Sequence, residues 1–311
     1  MAMLIEDGIW KGYDKSDIIG GILTISQEVR GIDIAALHKS MFQHFGSGKR
    51  FRLQVEKQNA VYYSAGNCMV ERGSGKVVFG TAYSEIPHDG SIKSIGIGAL
   101  AWCDFGDRKV VVPGSVKNIE ECAFYAAYNI QELYISSGVQ NIFNFALSAK
   151  TKAICFSETV GQIGYCDLPD MVETIIVDER NKSFYSENNC LIRKSDMAVL
   201  TMAGYTIKIP DGVKTIAPFA CASGSIPTRL VIVPDSVEQI ENDIMPNRLL
   251  TMMYGGHFYA TRKNKLSERG NFYFNGIGCD CVAIIKASKN SYAIRYAERH
   301  FIAHRYSESE I

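Results

Sequence analysis

The sequence predicts a repeat solenoid of mostly β-structure with short helical or 3₁₀ turns, two inserted β-hairpins and a C-terminal capping helix. Three observations lead to this prediction. A Val-x-x-Ile-x-x-x-Ala motif recurs along the chain, most copies are 21 to 24 residues apart, and one 33-residue segment occurs twice. Periods of about 20 to 50 residues indicate stacked units, because one such unit cannot bury its apolar face alone.

The recurring pattern is an apolar residue, a turn, a valine, an isoleucine three residues later, and then alanine followed by a large apolar residue. Some copies vary, with Ile92 in the place of valine and Asp167 and Ile244 in the place of alanine. The isoleucine anchors are Ile32, Ile95, Ile119, Ile142, Ile163, Ile216 and Ile240. Short β-rich segments precede the motif, and Pro-Gly-Ser or Pro-Asp-Gly turns the chain. We therefore expect two short extended pieces and one helical or 3₁₀ turn in each unit.

The repeated segment predicts the two hairpins. Residues 51–83 align with residues 173–205 at a constant offset of 122, with eight of 33 positions identical. In the second copy, two apolar stretches flank the polar residues Arg193 to Asp196, and this pattern is typical of a β-hairpin. We place the hairpins near 59–83 and 181–205, and we expect them to extend one sheet of the array.

The ends of a solenoid must be capped, because an uncapped unit would expose its core. We predict an N-terminal cap at 1–20 containing Trp10, a solenoid at 21–245, and a degenerate repeat with a C-terminal cap at 246–311. The alternative role for Trp10 is contact with a partner. Apolar residues at 293, 294, 297 and 301 fit helical periodicity, and Ser291 is a suitable N-cap, which predicts a helix near 291–305.

Charge and hydropathy argue against two classes of partner. The chain has 33 Lys plus Arg and 33 Asp plus Glu, whereas proteins that bind nucleic acids or membrane surfaces usually carry a basic excess. No stretch approaches the ~18 apolar residues of a membrane span, so we predict no membrane insertion. The N-terminus lacks the pattern of a secretory signal. We expect a cytoplasmic protein if the chain is complete, and a cell-surface or secreted one if a signal segment was removed.

The nine cysteines predict free thiols. Their number is odd, and most lie in apolar positions of the repeats, where a buried cysteine behaves as a small hydrophobic residue. We expect them to be reduced.

The repeats at Ile209–Ala220 and Val112–Phe124 resemble the BspA-type leucine-rich repeat family. The opening of the second hairpin at Asn181, Phe184 and Ser186 resembles it as well, as does the ending at 288–297. The resemblance covers roughly residues 20–245 and 282–305. It implies a bacterial or protist binding protein, in many members displayed at the surface for adhesion, and it supplies no catalytic residues. This chain departs from those members in lacking an export signal.

Strand alternation predicts a binding surface on the concave face. If Val112 and its counterparts point inward, the preceding residues form an outward apolar stripe: Val111, Tyr134, Cys155, Ile176 and Ile232. Three positions earlier are polar residues: Arg108, Gln131, Lys152, Glu173 and Arg229. Exposed apolar stripes mark interfaces, and solenoids bind through their concave face. The alternative is that loops cover the stripe.

We therefore predict a non-catalytic binding or scaffold protein with a protein partner and without cofactors. One alternative is a bacterial surface adhesin that binds host or glycan ligands, and another is pairing of two copies through the stripe. A weaker alternative is a zinc site at Cys279, Cys281, His300 and His304, although a single residue separates the two cysteines where zinc sites usually have two to four. No nucleophile, base and oxyanion set can be assigned, so we predict no enzyme.

Overall fold

A computed structural model describes residues 3–45, 49–166, 172–221, 229–244, 273–275, 283–299 and 302–307. In these ranges the chain is a β-solenoid with two α-helices, as the repeats predict. No helix among these residues is long and apolar enough to span a bilayer.

The N-terminal end contains two small sheets and a helix. Its elements are β1 (Leu4–Glu6), β2 (Ile9–Gly12), β3 (Ile18–Ile19), β4 (Ile22–Ile25), β5 (Gly31–Ile32), α1 (Ile34–Phe45) and β6 (Arg52–Val55). The sheets have the strand orders β1-β2-β5 and β3-β4-β6. Trp10 is fully buried in the N-terminal core, and its ring centroid lies 5.0 Å from that of Phe79. The 12-residue helix α1 takes the place of the short turn expected after Ile32.

The first hairpin region is a three-stranded antiparallel meander, one strand more than predicted. It consists of β7 (Tyr62–Ala65), β8 (Cys68–Glu71) and β9 (Lys76–Gly80). Its turn between β8 and β9 contains Gly73, as the sequence predicts.

Between residues 94 and 177, each coil contains a short strand and a longer one. In chain order they are β10 (Ser94–Ile95), β11 (Asp104–Val112), β12 (Asn118–Ile119), β13 (Tyr128–Ile135), β14 (Asn141–Ile142), β15 (Thr151–Phe156), β16 (Gln162–Ile163) and β17 (Thr174–Val177). The short strands continue the meander as a seven-stranded sheet, β16-β14-β12-β10-β9-β8-β7, and the long strands form a parallel sheet, β11-β13-β15-β17. The hairpin therefore extends one sheet of the array, as predicted.

The apolar positions of the motif form the core of these coils. Ile95, Ile119 and Ile142 of the short strands are buried in the same cluster as Val112 and Ile135 of the long strands. Burial of each such side chain contributes roughly 1.5–3 kcal/mol. Stacking between coils is what removes these side chains from water.

Neighbouring turns stack closely enough to require glycine. A Cβ atom at Gly114 would lie 1.9 Å from the carbonyl oxygen of Ser137 in the next coil. Gly138 has φ +109°, which disfavours other residues. The Pro-Gly-Ser and Ser-Ser-Gly turns therefore fix the distance between consecutive coils.

The remaining elements repeat this arrangement. They are β18 (Phe184–Glu187), β19 (Cys190–Arg193), β20 (Ala198–Met202), β21 (Thr206–Lys208), β22 (Thr215–Ile216), β23 (Arg229–Ile232), β24 (Gln239–Ile240), β25 (Asn242–Ile244), β26 (Tyr273–Asn275), β27 (Ala283–Ala287), α2 (Tyr292–Arg299) and β28 (His304–Tyr306). Their sheets are β18-β19-β20-β22-β24, β21-β23-β27-β28 and β25-β26. The strands β6 to β9 recur as β17 to β20 at the offset of 122 that the sequence shows.

The C-terminal helix is shorter than predicted. Ser291 Oγ accepts a hydrogen bond from Ile294 N at 3.3 Å, which supports its predicted N-cap role. The helix ends at Arg299, however, and His304–Tyr306 form a strand that pairs with β27. The extension to 305 was wrong because the periodicity of the apolar residues does not detect this strand pairing. Most of the predicted degenerate repeat at 246–281 lies outside the described residues.

Candidate binding surface on the four-stranded sheet

Four residues of the predicted apolar stripe form one continuous row across the parallel sheet. Val111, Tyr134, Cys155 and Ile176 are direct register neighbours on β11, β13, β15 and β17. Tyr134 is 38% exposed and Ile176 48% exposed, whereas Val111 and Cys155 are half-buried. We call this set the outward row.

The residues that follow the outward row point into the core. Val112, Ile135 and Phe156 are at most 3% exposed, and Val177 is half-buried. Strand alternation therefore separates a buried face from a solvent-facing one at the positions that the sequence predicts.

A charged pair lies beside the outward row. Lys109 and Glu132, two positions before Val111 and Tyr134, form a salt bridge of 2.7 Å between Nζ and Oε1. Lys109 Nζ also lies 4.5 Å from the centroid of the Tyr134 ring, which is a cation–π distance. The Lys109 ammonium group thus contacts both the Glu132 carboxylate and the aromatic ring of the outward row.

Sequence reasoning missed Lys109 and Glu132, although the period-two rule that identified the stripe also identifies them. The selected polar positions lie three residues before the stripe. The register shifts there, since Arg108 pairs with Ile130 but Lys109 pairs with Glu132. This bulge leaves Gln131 without a register partner on β11, so the polar positions do not form one even row.

The predicted polar residues have different surroundings. Gln131 Nε2 donates to Asp107 Oδ1 at 2.5 Å, and Lys152 and Glu173 are exposed. The Arg108 guanidinium donates to the carbonyl oxygens of Tyr83 and Ser84 at 2.7 and 2.8 Å. Arg108 thus bonds to the main chain of a neighbouring segment.

The last pair of predicted residues lies in a different sheet. Arg229 and Ile232 belong to β23, whose sheet is β21-β23-β27-β28, while the outward row lies in β11-β13-β15-β17. The second meander follows β17 in the chain and separates the two sheets in sequence. The ten predicted residues are therefore divided between two sheets.

Comparison with known proteins identifies the repeats. Residues 79–187 match the model of the BspA type leucine rich repeat region in six copies. These residues are BspA-type leucine-rich repeats. The resemblance drawn from the sequence is thereby confirmed, and the outward row up to Ile176 lies within the matched BspA-type segment.

Three solved structures are similar to the chain at low identity. A leucine rich cell surface protein from Faecalibacterium prausnitzii A2-165 has 17% identity and a TM-score of 0.41, with 70% of this chain and 56% of that chain covered. The pneumococcal vaccine antigen PcpA has 16% identity and a TM-score of 0.41, with 76% and 51% covered. A leucine-rich repeat protein from Eubacterium ventriosum has 16% identity and a TM-score of 0.28, with 57% and 64% covered. This chain spans about half the length of the first two proteins. No curated protein matches it.

The weak zinc alternative falls mostly outside the described residues. Cys279, Cys281 and His300 lie outside the described residues, and His304 lies in β28. Among the described residues, no group of three or more His, Cys, Asp and Glu side chains is arranged to hold a metal ion.

The described cysteines are all free thiols, and Cys155 is the one among them that is not fully buried. Burial, together with the nearby Glu132 carboxylate, raises the pKa of Cys155 to about 11. Because the thiolate is the nucleophile, we expect iodoacetamide to alkylate Cys155 at pH 8 about 100-fold more slowly than in the urea-unfolded chain, where a cysteine pKa is near 8.5.

The rate of Cys155 alkylation, followed by mass spectrometry between pH 7 and pH 10, should rise with pH throughout. Glu132→Gln should accelerate it, since that change removes the adjacent negative charge. Rapid alkylation at pH 7 that does not depend on pH would contradict this assignment of the Cys155 environment.

Proposed function

We propose that this BspA-type protein is a non-catalytic binding or scaffold protein that binds a protein partner through the outward row. The observation that supports the proposal is the laterally continuous row of Val111, Tyr134, Cys155 and Ile176 on a parallel sheet, in which Tyr134 and Ile176 are exposed. Tyrosine and branched apolar side chains held on a rigid sheet lose little conformational entropy on binding, which suits them to a protein interface.

Polar groups border this row and would form the rim of the interface. At the ends of the long strands, Ser137 Oγ donates to Glu158 Oε1 at 2.6 Å, and Arg180 lies 3.6 Å from Glu158 and 2.9 Å from Asp178. Ser137 and Arg180 are exposed, Glu158 and Asp178 are half-buried, and ion pairs at such a surface contribute little stability. An apolar centre with a charged rim is the usual anatomy of an interface between proteins.

The double variant Tyr134→Ala/Ile176→Ala tests the proposal. We expect it to weaken partner binding at least tenfold, since truncation of a central tyrosine typically costs more than about 1.4 kcal/mol. The measurement is capture from cell lysate and from surface extract, followed by titration of the captured protein. The extract that supplies the partner also shows whether the binding occurs inside the cell or at its surface.

The matched control is Phe143→Ala/Ile97→Ala. Phe143 and Ile97 are 40% and 38% exposed, and these fractions are similar to those of Tyr134 and Ile176. They differ in position, because they follow short strands of the other sheet. This control should bind as the wild type does. Equal loss of binding in both double variants, or in neither, would contradict binding through the outward row.

A further inference from the structure

The second copy of the duplicated segment shows how the parallel sheet is completed after a meander. There, β21 pairs in parallel with β23. Leu230 N donates to Tyr205 O at 2.8 Å, and Ile209 N donates to Ile232 O at 3.0 Å. The strand that follows the meander therefore covers the edge of the next long strand.

The first copy lacks this pairing. Tyr83 is the counterpart of Tyr205. Alignment of the repeat motifs at Val112 and Val233 makes Lys109 and Val111 the counterparts of Leu230 and Ile232. Within the described part of the chain, β11 pairs with β13 alone. The carbonyl oxygen of Tyr83 accepts from the Arg108 guanidinium, where that of Tyr205 accepts from a main-chain amide.

The geometry of the ladder shows which groups of β11 are left at the open edge. Ser136 N donates to Val112 O at 3.1 Å, so the main-chain groups of Val112 point towards β13. Because these groups alternate in direction along a parallel strand, those of Lys109 and Val111 point away from β13. Their N–H and C=O groups form no main-chain hydrogen bond to any described residue.

A cleft of about 150 Å³ lies along this edge. Its walls are Ser84–Ile86 and His88 on one side and Arg108–Val111 on the other. An incoming main chain would displace the water in this cleft. The two walls meet at one end, where Tyr83 N donates to Asp104 O at 2.6 Å.

We propose that an extended peptide of a partner protein binds in this cleft as an added strand on the edge of β11. Main-chain groups of a sheet edge are a template for such addition, and alternate side chains of the added strand give specificity. The second copy supports a strand as the occupant, because there β21 covers the equivalent edge, whereas its counterpart in the first copy, Ser84–Ile86, forms the opposite wall of the cleft. The inference rests on the proposed function, since the added strand would lengthen the same outward face.

The neighbouring rows specify the side chains of the peptide. A residue beside Lys109 would extend the row of Lys109 and Glu132, and a residue beside Val111 would extend the outward row. The cleft has two cations, Arg108 and Lys109, and one carboxylate, Glu85. The preferred peptide therefore has an acidic residue and, two positions later, an apolar one.

The chain itself provides the probe, since β21 is the strand that covers the equivalent edge. The probe is a synthetic peptide of residues 203–211 with Thr206→Glu and Lys208→Ile, and its control has Thr206→Lys and Lys208→Ile. We expect amide exchange at Lys109 and Val111, followed by NMR, to be fast in the free protein and at least tenfold slower with the acidic peptide. The basic peptide should bind at least tenfold more weakly. Slow exchange at both amides in the free protein, or no protection by the acidic peptide, would overturn the proposal.

Proline variants provide a second, independent test. Proline is tolerated where a strand N–H faces solvent, so Val111→Pro should leave the thermal midpoint nearly unchanged and weaken peptide binding at least tenfold. Ile232→Pro removes the equivalent N–H from a covered edge and should lower the midpoint. Equal destabilisation by both variants would overturn the proposal. Protection from exchange that depends only on protein concentration would also overturn it, because the occupant of the edge would then be a second molecule of this protein.

The two proposals can fail separately. If Val111→Pro binds the captured partner as the wild type does while Tyr134→Ala/Ile176→Ala does not, the strand-addition site is wrong and the outward row stands. If peptide binding is lost in Val111→Pro while the partner tolerates loss of Tyr134 and Ile176, the outward row is wrong and the strand-addition site stands.

Discussion

Asn181→Ala should lower the free energy of unfolding by about 3–5 kcal/mol, since it leaves several buried main-chain groups without partners. Asn181 is 1% exposed. Its Nδ2 donates to the carbonyl oxygens of Ser157 and Val160 at 2.8 and 3.0 Å, and its Oδ1 accepts from Ser183 N and Phe184 N at 2.9 and 2.8 Å. One side chain thus joins the turn of the preceding coil to the start of the second meander.

Asn59 makes the same four contacts in the first copy. It donates to Ser26 and Val29 at 2.9 and 3.0 Å and accepts from Val61 N and Tyr62 N at 2.9 and 2.7 Å. Asn59→Ala should therefore cost as much as Asn181→Ala in urea unfolding followed by circular dichroism. Gln162→Ala, an exposed amide on β16, is the control and should change stability by less than about 0.5 kcal/mol. A loss below about 1 kcal/mol for both asparagines would show that these contacts are dispensable.

These asparagines also show what the sequence could predict of the fold. Asn59 and Asn181 are identical in the duplicated segments whose alignment predicted a hairpin at each site, and the structure has a three-stranded meander at both. Local signals were sufficient because the apolar period, the Pro-Gly turns and the polar hairpin turns each act within one coil. The length of α1 and the early end of α2 depend on packing and pairing with other segments, and the local pattern does not contain them. The third strand of each meander is different, because it pairs with its neighbour across a two-residue turn and the sequence reasoning overlooked it.

The candidate surface was predicted only in part for the same reason. Alternation within a strand identified Val111, Tyr134, Cys155 and Ile176 as outward residues, and their burial agrees. Three further facts depend on register between strands: the bulge before Lys109, the assignment of β23 to another sheet, and the open edge of β11. That a protein partner binds at this surface stays a prediction.

Lys49 is a residue that sequence reasoning would place at the surface, and the structure buries it completely. Its Nζ lies 4.0 Å from the centroid of the Phe79 ring and donates to Ala99 O at 3.5 Å. No carboxylate among the described residues lies within salt-bridge distance of it. Burial lowers the pKa of Lys49, so folding at neutral pH must desolvate or deprotonate this amine.

Lys49→Met should therefore raise the free energy of unfolding at pH 7, by about 1–3 kcal/mol, because methionine keeps most of the volume without the polar group. The sign of the pH dependence follows from linkage. Between the lowered pKa of folded Lys49 and about 10.4 in the unfolded chain, the unfolded state binds more protons, so the wild type gains stability as pH rises. The advantage of Lys49→Met should shrink towards pH 10.

Urea unfolding of the wild type and Lys49→Met at pH 7, 8, 9 and 10 gives the difference between their free energies of unfolding. Subtracting one free energy from the other removes the contribution of all titrating groups that the two proteins share. Lys152→Met, at an exposed position, is the control and should show a difference that stays within about 0.5 kcal/mol at every pH. A Lys49→Met protein less stable than the wild type at pH 7 would mean that the contacts with Phe79 and Ala99 outweigh the cost of burying the amine. A Lys49→Met advantage that does not change with pH would mean that Lys49 has the same pKa in both states, and hence that its amine reaches solvent.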